Sequence, residues 1–305
     1  MQLLAEVAER YSLPVVALGA ETAREPGLEK GSILVRFNLM HGFKLPESDE
    51  LWVEAEPGVP WLELDNNLHA RGQGLVVYPT SAPRATVGGW LALDGLGVGS
   101  FEYGWLSENV LSADVVLPGG ERREVPGEDL RAFVGEEGGR GIVVGARLKT
   151  RRVEGDLPFG IAFESPEALA EAVTGAFRSN APLWHLAFLN PRMALARGHG
   201  NRHLLFGAYV YERATSIKEA LEDVLAVRRG RVLPPSDAYR IWNERFYPIV
   251  HSQPTPHVDR TLISVSEVAG ALGVRQDRPV ETAVQGTVSR SGEVLLLTFD
   301  PSEES

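Results

Sequence analysis

An α+β chain in two domains is what this sequence predicts, on three observations. Its 305 residues exceed the roughly 100–200 that one domain usually holds. Short apolar runs alternate irregularly with capped helices and tight turns, which favours antiparallel sheet with helices packed against it. The texture changes at Glu154-Gly155-Asp156-Leu157-Pro158, where glycine thins and longer helices begin, so the domains are expected at 1–153 and 154–305.

Leu3, Leu4, Val7 and Ala8 fall at helical spacing, and Pro14 then opens the strand P-V-V-A-L. Strands are expected at 33–37 and 51–56, then a helix from Pro60 to Ala70 that stops near Gly72. V-L-S-A-D-V-V-L-P-G-G-E-R-R-E-V reads as a hairpin turning at Gly119-Gly120, and G-I-V-V-G-A-R-L-K as a strand running out to Arg152. In the second domain F-G-I-A-F-E is a strand, and Ser165-Pro166 caps a helix through Arg178, serine accepting backbone N–H bonds and proline occupying the first helical position. Strands follow at 184–189 and 204–211, then a helix begun by the Ser216/Glu219 capping box and ending near Gly230. The order predicts an antiparallel sheet with its helices on one face. A helix from Ser236 to about Phe246, a strand L-I-S-V, a short helix and a closing hairpin complete the chain.

The composition excludes several chemistries. No cysteine is present, which removes disulfides, thiolate metal sites, cysteine nucleophiles and a cysteinyl cofactor link. A net charge of -11 argues against nucleic acid as a partner. No apolar run approaches the ~18 residues of a membrane span, and the N-terminus lacks a basic segment before its apolar pattern. The expected location is cytoplasmic.

The most unusual stretch is A-T-V-G-G-W-L-A-L-D-G-L-G-V-G-S-F-E-Y-G, residues 85 to 104, with glycine at 88, 89, 95, 97, 99 and 104. Each ordered glycine costs roughly 0.5–1 kcal/mol relative to alanine, so tight turns, close packing or a ligand must offset them. A dinucleotide fingerprint fails because Ser100 replaces its third glycine. Two uses remain open: Thr86 with the amides of Val87, Gly88 and Gly89 as a phosphate nest, or tight turns alone. Asp94 is a turn acid or, facing a cofactor, a tuning group or base. His199 with His203, and His251 with His257, lack the surroundings of a metal site, and none is expected. Trp242, Arg245 and Phe246 share a helix face, which core packing with a snorkelling arginine explains.

Several segments in order, P-V-V-A-L-G, W-V-E-A-E-P-G-V-P-W-L-E-L, A-R-G-Q-G-L-V-V-Y-P, A-T-V-G-G, S-F-E-Y-G, V-V-L-P-G-G-E and G-G-R-G-I-V-V-G-A-R-L-K, resemble the FAD-binding domain of the vanillyl-alcohol oxidase and p-cresol methylhydroxylase flavoproteins. The similarity is nearest to glycolate oxidase subunits. It implies a two-subdomain FAD-binding domain over about residues 3–150, followed by a shortened ferredoxin-like cap domain. The implied cofactor is non-covalent FAD. Its diphosphate and ribityl chain would meet Gly19, Thr22, Pro79, Thr86, Gly88 and Gly89, with Ser100 and Gly104 beyond them and Gly141 and Ile142 at the adenine. The implied function is oxidation of a small 2-hydroxy acid such as glycolate or lactate. Implied partners are a second flavoprotein or iron–sulfur subunit, or another copy of the chain.

This sequence departs from that pattern in three places. The family's first phosphate loop is a glycine run ending in Thr or Ser, but here it reads Gly19-Ala20-Glu21-Thr22. A carboxylate ~5 Å from a phosphate at an effective dielectric of ~20 costs roughly 3 kcal/mol. The family's strand ahead of the position of Leu3 has no counterpart, so the first domain is expected to be shortened at its start. Its C-terminal H-x-G-D-G-N-x-H segment also has none. A competing function is therefore a non-catalytic partner subunit that has lost tight FAD binding.

Overall fold

The computed structural model describes residues 1–22, 30–133, 141–153, 155–217, 230–246, 258–272 and 282–299. The chain divides into two compact units. The first comprises Met1–Gly97 and Trp105–Val153, and the second Val98–Gly104 and Glu154–Ser305. The sequence places the boundary once, near residue 154; in the structure the chain also enters the second unit for seven residues within the glycine-rich stretch.

In the first unit, α1 (Gln2–Arg10) precedes β1 (Val15–Leu18), which pairs in parallel with β2 (Ile33–Arg36). The helix buries Ala5 and Ala8 and leaves Leu3 and Val7 exposed. It packs against the turn Pro118–Gly120, where a Cβ on Gly120 would stand 2.5 Å from Glu6 Cγ. The larger sheet contains β3 (Phe43–Lys44), β4 (Trp52–Ala55), β6 (Val110–Val116), β7 (Arg122–Pro126) and β8 (Ile142–Arg152) in the order β3-β4-β8-β6-β7, with β5 (Gln73–Leu75) also paired to β8. Its helices are α2 (Trp61–His69) and α3 (Val87–Leu91). Proline 60 precedes the first turn of α2, and Trp61, Leu64 and Leu68 at i, i+3 and i+7 bury one face of it. The hairpin expected at Gly119-Gly120 forms, with Gly119 (φ 83°) and Gly120 (φ 87°) left-handed, a conformation that favours glycine.

The second unit is built on a seven-stranded antiparallel sheet. Its strands are β9 (Asp156–Phe163), β10 (His185–Leu189), β11 (His203–Val210), β12 (Arg231–Val232), β13 (Val258–Ser264), β14 (Ala283–Val288) and β15 (Glu293–Phe299), ordered β12-β9-β11-β10-β14-β15-β13. Among its helices are α4 (Ser100–Tyr103), α5 (Pro166–Arg178), α6 (Pro191–Ala196), α7 (Pro235–Asn243) and α8 (Val268–Leu272). Ser165 caps α5 as its sequence predicts, its Oγ accepting the Ala168 N–H at 3.2 Å. The helices lie on both faces of the sheet, not one. Leu169, Val173 and Val268 pack with Ile161 and Phe163, while Met193, Ala194 and Ile241 pack with Ala162, and period-2 alternation along β9 sends those sets to opposite sides. All five residues of β10 are buried as a result. The capping box at Ser216/Glu219, and His251 with His257, extend beyond the described residues.

Candidate functional site

Two backbone segments converge in the first unit. One is Gly19-Ala20-Glu21-Thr22, which leaves the carboxyl end of β1, the end of a parallel strand where α/β proteins commonly place ligands. The other is Thr86-Val87-Gly88-Gly89. Thr86 is extended (φ -96°, ψ 157°) and caps α3, its Oγ1 accepting the Gly89 N–H at 3.4 Å. A Cβ on Gly19 would lie 3.1 Å from Gly89 Cα and 3.2 Å from Thr86 Oγ1. A Cβ on Gly89 would lie 3.1 Å from Thr86 Oγ1 and 3.4 Å from Gly19 Cα. Glycine at both positions lets the two backbones run against each other with no side chain between them.

Thr86 is held from α2. The buried Trp61 indole donates to the Thr86 carbonyl at 3.0 Å, Pro60 bridges to Thr86, and Trp61 packs edge-on against Trp90 at 5.3 Å. Sequence reasoning missed Trp61; the signal available was a tryptophan on the first turn of a helix, which can be fully buried only if its N–H finds a partner.

The amides expected to form a phosphate nest are already engaged. Val87 N–H donates to Val59 O at 2.9 Å, and Gly88 N–H to Pro57 O at 2.8 Å. Gly88 is glycine because a Cβ would stand 2.6 Å from the Pro57 Cβ, and Gly97 because one would stand 2.1 Å from Tyr78 O. Close packing thus accounts for part of the glycine content. The amides of Ala20, Glu21 and Thr22, in contrast, donate to no described residue.

Glu21 has a cation beside it. It adopts a left-handed conformation (φ 54°), and its Oε1 is 3.4 Å from Arg36 Nη2 at the end of β2. Both groups are substantially exposed, so the pair contributes little to stability. Its effect is to give the carboxylate a countercharge. Replacing Glu21 with glycine should relieve ~1 kcal/mol of left-handed strain and add back ~0.5–1 kcal/mol of chain entropy, leaving the melting temperature nearly unchanged. Titration with FAD should then show tighter binding, and Arg36→Met, which strands the carboxylate, should weaken it about tenfold, ~1.4 kcal/mol. Equal affinities in both variants would remove Glu21 from the site.

The remaining predicted positions are more dispersed. Pro79 is buried and accepts the Ala82 N–H at 3.0 Å in the turn after β5. Gly141 packs where a Cβ would be 2.4 Å from Val115 Cγ1, and Ile142 opens β8 opposite Val116. Ser100 and Gly104 belong to the second unit, where Ser100 is fully buried and its carbonyl accepts from Arg290 N and Gly104 N. Asp94 is a turn anchor: its carboxylate accepts from Ser107 N at 2.9 Å, Ser107 Oγ at 2.8 Å and Arg131 Nε at 3.2 Å. His199 faces Glu244 at 3.0 Å, and among the described residues no three ligand-type side chains gather as a metal site would require.

Residues 1–126 match the family described as an FAD binding domain. Curated relatives include a mitochondrial D-lactate dehydrogenase (cytochrome) from Arabidopsis thaliana, 31% identical over 47% of this chain and 27% of its own length. The glycolate oxidase subunit GlcD of Bacillus subtilis is 27% identical over 47% of this chain and 33% of its own. A probable mitochondrial D-lactate dehydrogenase of Danio rerio is 26% identical over 62% of this chain and 41% of its own. The chain therefore aligns with only about a quarter to two fifths of these relatives. A solved alkyldihydroxyacetonephosphate synthase has the same fold, with a TM-score of 0.74 over 98% of this chain and 68% of its own at 16% identity. No described helix is long and apolar enough to cross a membrane. Through residues 1–126, with their converging glycine loops, the chain is similar to the FAD binding domains of these dehydrogenases and oxidase subunits.

Proposed function

We propose that this chain is an FAD-dependent oxidoreductase subunit acting on a small 2-hydroxy acid such as glycolate or lactate. The observation that carries the proposal is the approach of Gly19 to Gly89 beside Thr86, with Glu21 3.4 Å from Arg36 and the amides of Ala20, Glu21 and Thr22 bonded to no described residue. Those amides and Thr86 would hold the FAD diphosphate, with Pro79 and Gly88 shaping the loop behind it. Gly141 and Ile142 would meet the adenine. Bound FAD supplies the two-electron acceptor for oxidising a carbinol carbon, and the protein supplies position and electrostatics. The substrate class is taken from the relatives named as D-lactate dehydrogenases and a glycolate oxidase subunit. The latter name also supports operation beside a partner chain.

The test is the visible absorbance of the purified full chain, fresh and after incubation with FAD followed by desalting. Retained yellow colour, bleached by addition of glycolate or D-lactate without air, is the expected result. A protein that stays colourless through desalting would overturn the enzyme assignment and leave the non-catalytic partner subunit.

A further inference from the structure

Two buried tryptophans of the first unit stand behind the segment Thr86–Gly89. Trp61 opens α2 and is fully buried, its ring edge-on to Trp90 of α3 with 5.3 Å between centroids. Trp90 is buried as well, its Cη2 3.0 Å from where a Cβ on Gly97 would stand.

The polar contact of this pair falls on one atom. The Thr86 carbonyl accepts two hydrogen bonds, from the Trp90 N–H at 3.1 Å and from the Trp61 indole Nε1–H at 3.0 Å. The first is the bond that an N-cap carbonyl makes in any helix. The second reaches it from another helix, 25 residues earlier in the chain. Bonds from Trp61 N to Ala85 O at 3.0 Å and from Val87 N to Val59 O at 2.9 Å hold the residues on either side of Thr86. The Thr86 side chain has a weaker anchor: Oγ1 accepts the Gly89 N–H at 3.4 Å, longer than an ordinary N–H···O bond. Its direction therefore depends on its backbone. That direction matters, because Oγ1 lies 3.2 Å from where a Cβ on Gly19 would stand and 3.1 Å from one on Gly89.

We infer that Trp61 is a positioning residue for the dinucleotide cofactor: by holding the Thr86 carbonyl it aims Thr86 Oγ1 and sets how tightly the segment beside Gly19 and Gly89 holds the diphosphate. The clamp follows from contacts within the first unit; its service to FAD rests on the function proposed above. Trp61 acts through one carbonyl and does not touch the cofactor. A phenyl ring in its place would still pack against Trp90, and Thr86 O would keep its helical bond, so the fold survives while the peptide gains freedom to turn.

A double-mutant cycle in FAD affinity, titrated by flavin fluorescence with the full chain, tests this. Trp61→Phe removes the indole N–H, and Thr86→Val keeps the side-chain shape but removes Oγ1. Each should weaken binding about tenfold, and the pair together also about tenfold, because Trp61 works through the group that Thr86→Val deletes. Thr86→Ser, which keeps Oγ1, should restore the sensitivity to Trp61→Phe. A merely structural tryptophan would give the same factor in every background, about a hundredfold in the double variant. Without FAD, the Gly89 amide should exchange hydrogen several-fold faster in Trp61→Phe while the amides of β8 keep their wild-type rates. Circular dichroism identifies a Trp61→Phe chain that fails to fold; the wild type then gives the result, since its Trp61 indole ¹⁵N resonance should shift on adding FAD. Additive losses, unchanged affinity in folded Trp61→Phe, or an unmoved indole resonance in FAD-bound protein would overturn the assignment and leave the flavin function standing. A wild type that never binds FAD, although Gly89 exchange responds to Trp61→Phe, would keep the clamp and overturn its service to FAD along with the flavin function.

Discussion

Gly89→Glu should strip the flavin from the protein while leaving the fold intact. The position faces Gly19 across the contact between the two loops, and a Cβ there meets Thr86 Oγ1 at 3.1 Å and Gly19 Cα at 3.4 Å. Those distances are tight but can be relieved by shifts of a few tenths of an ångström, so Gly89→Ala should cost less than tenfold in FAD affinity. The carboxylate is another matter. At ~5 Å and an effective dielectric of ~20, each like-charge pair costs roughly 3 kcal/mol, about a hundredfold in affinity. Unlike Glu21, the new group would have no Arg36 beside it. Visible absorbance after gel filtration, with the melting temperature as a control, gives the outcome. A folded Gly89→Glu protein that remains yellow would displace the diphosphate from this contact.

How much of this could be read in advance depended on whether the signal was local. Ser165-Pro166 and Gly119-Gly120 act through their own backbone, and the helix and hairpin they announce form where expected. The six-residue α6 was missed although Asn190-Pro191 carries the same kind of signal, with Asn190 Oδ1 accepting the Met193 N–H at 2.9 Å. Its apolar pattern is too short to show a period. The arrangement of helices on both sheet faces was hidden for a related reason: buried L-A-F-L in β10 does not alternate, and only a strand covered on both sides can be apolar throughout.

The site itself was legible as glycines but not as geometry. Gly88 and Gly97 are fixed by Pro57 and the Tyr78 carbonyl, partners distant in sequence, so neither could be separated from Gly89 beforehand. The Glu21–Arg36 pair depends on the parallel register that sets Leu18 opposite Arg36, which brings the end of β2 level with the start of the loop. In sequence Glu21 is a charge where a phosphate should go. In the fold it is a charge with a neighbour, Arg36.

Acid should destabilise the protein through His185, and His185→Phe should remove that part of the loss. Burial, with a smaller contribution from Arg245, lowers the His185 pKa to about 3, whereas the unfolded chain titrates it near 6.5. Between those values the unfolded state holds a proton that the folded state refuses. The resulting stability is fully present above about pH 6.5 and drains away as the pH falls toward 3. From pH 7 to pH 5 the loss from this residue is about 2 kcal/mol, and about 3 kcal/mol by pH 4. For a unit of this size 2 kcal/mol corresponds to a drop of about 4–8 °C in melting temperature. Phenylalanine fits the surroundings of Trp242 and Phe206 and carries no proton, although it forfeits the bond from Gly99 N–H and so starts from a lower stability at pH 7. The discriminating quantity is the slope with pH, not the level. His199 and His203 are also lowered by burial, but both remain in the variant and cancel in the difference between the two curves. Thermal melts at half-unit steps from pH 7 to pH 4 should show the variant's curve converging on the wild type's as the pH falls. Parallel curves would mean that His185 takes up a proton in the folded protein as readily as it does unfolded, which a site closed around a neutral imidazole does not allow.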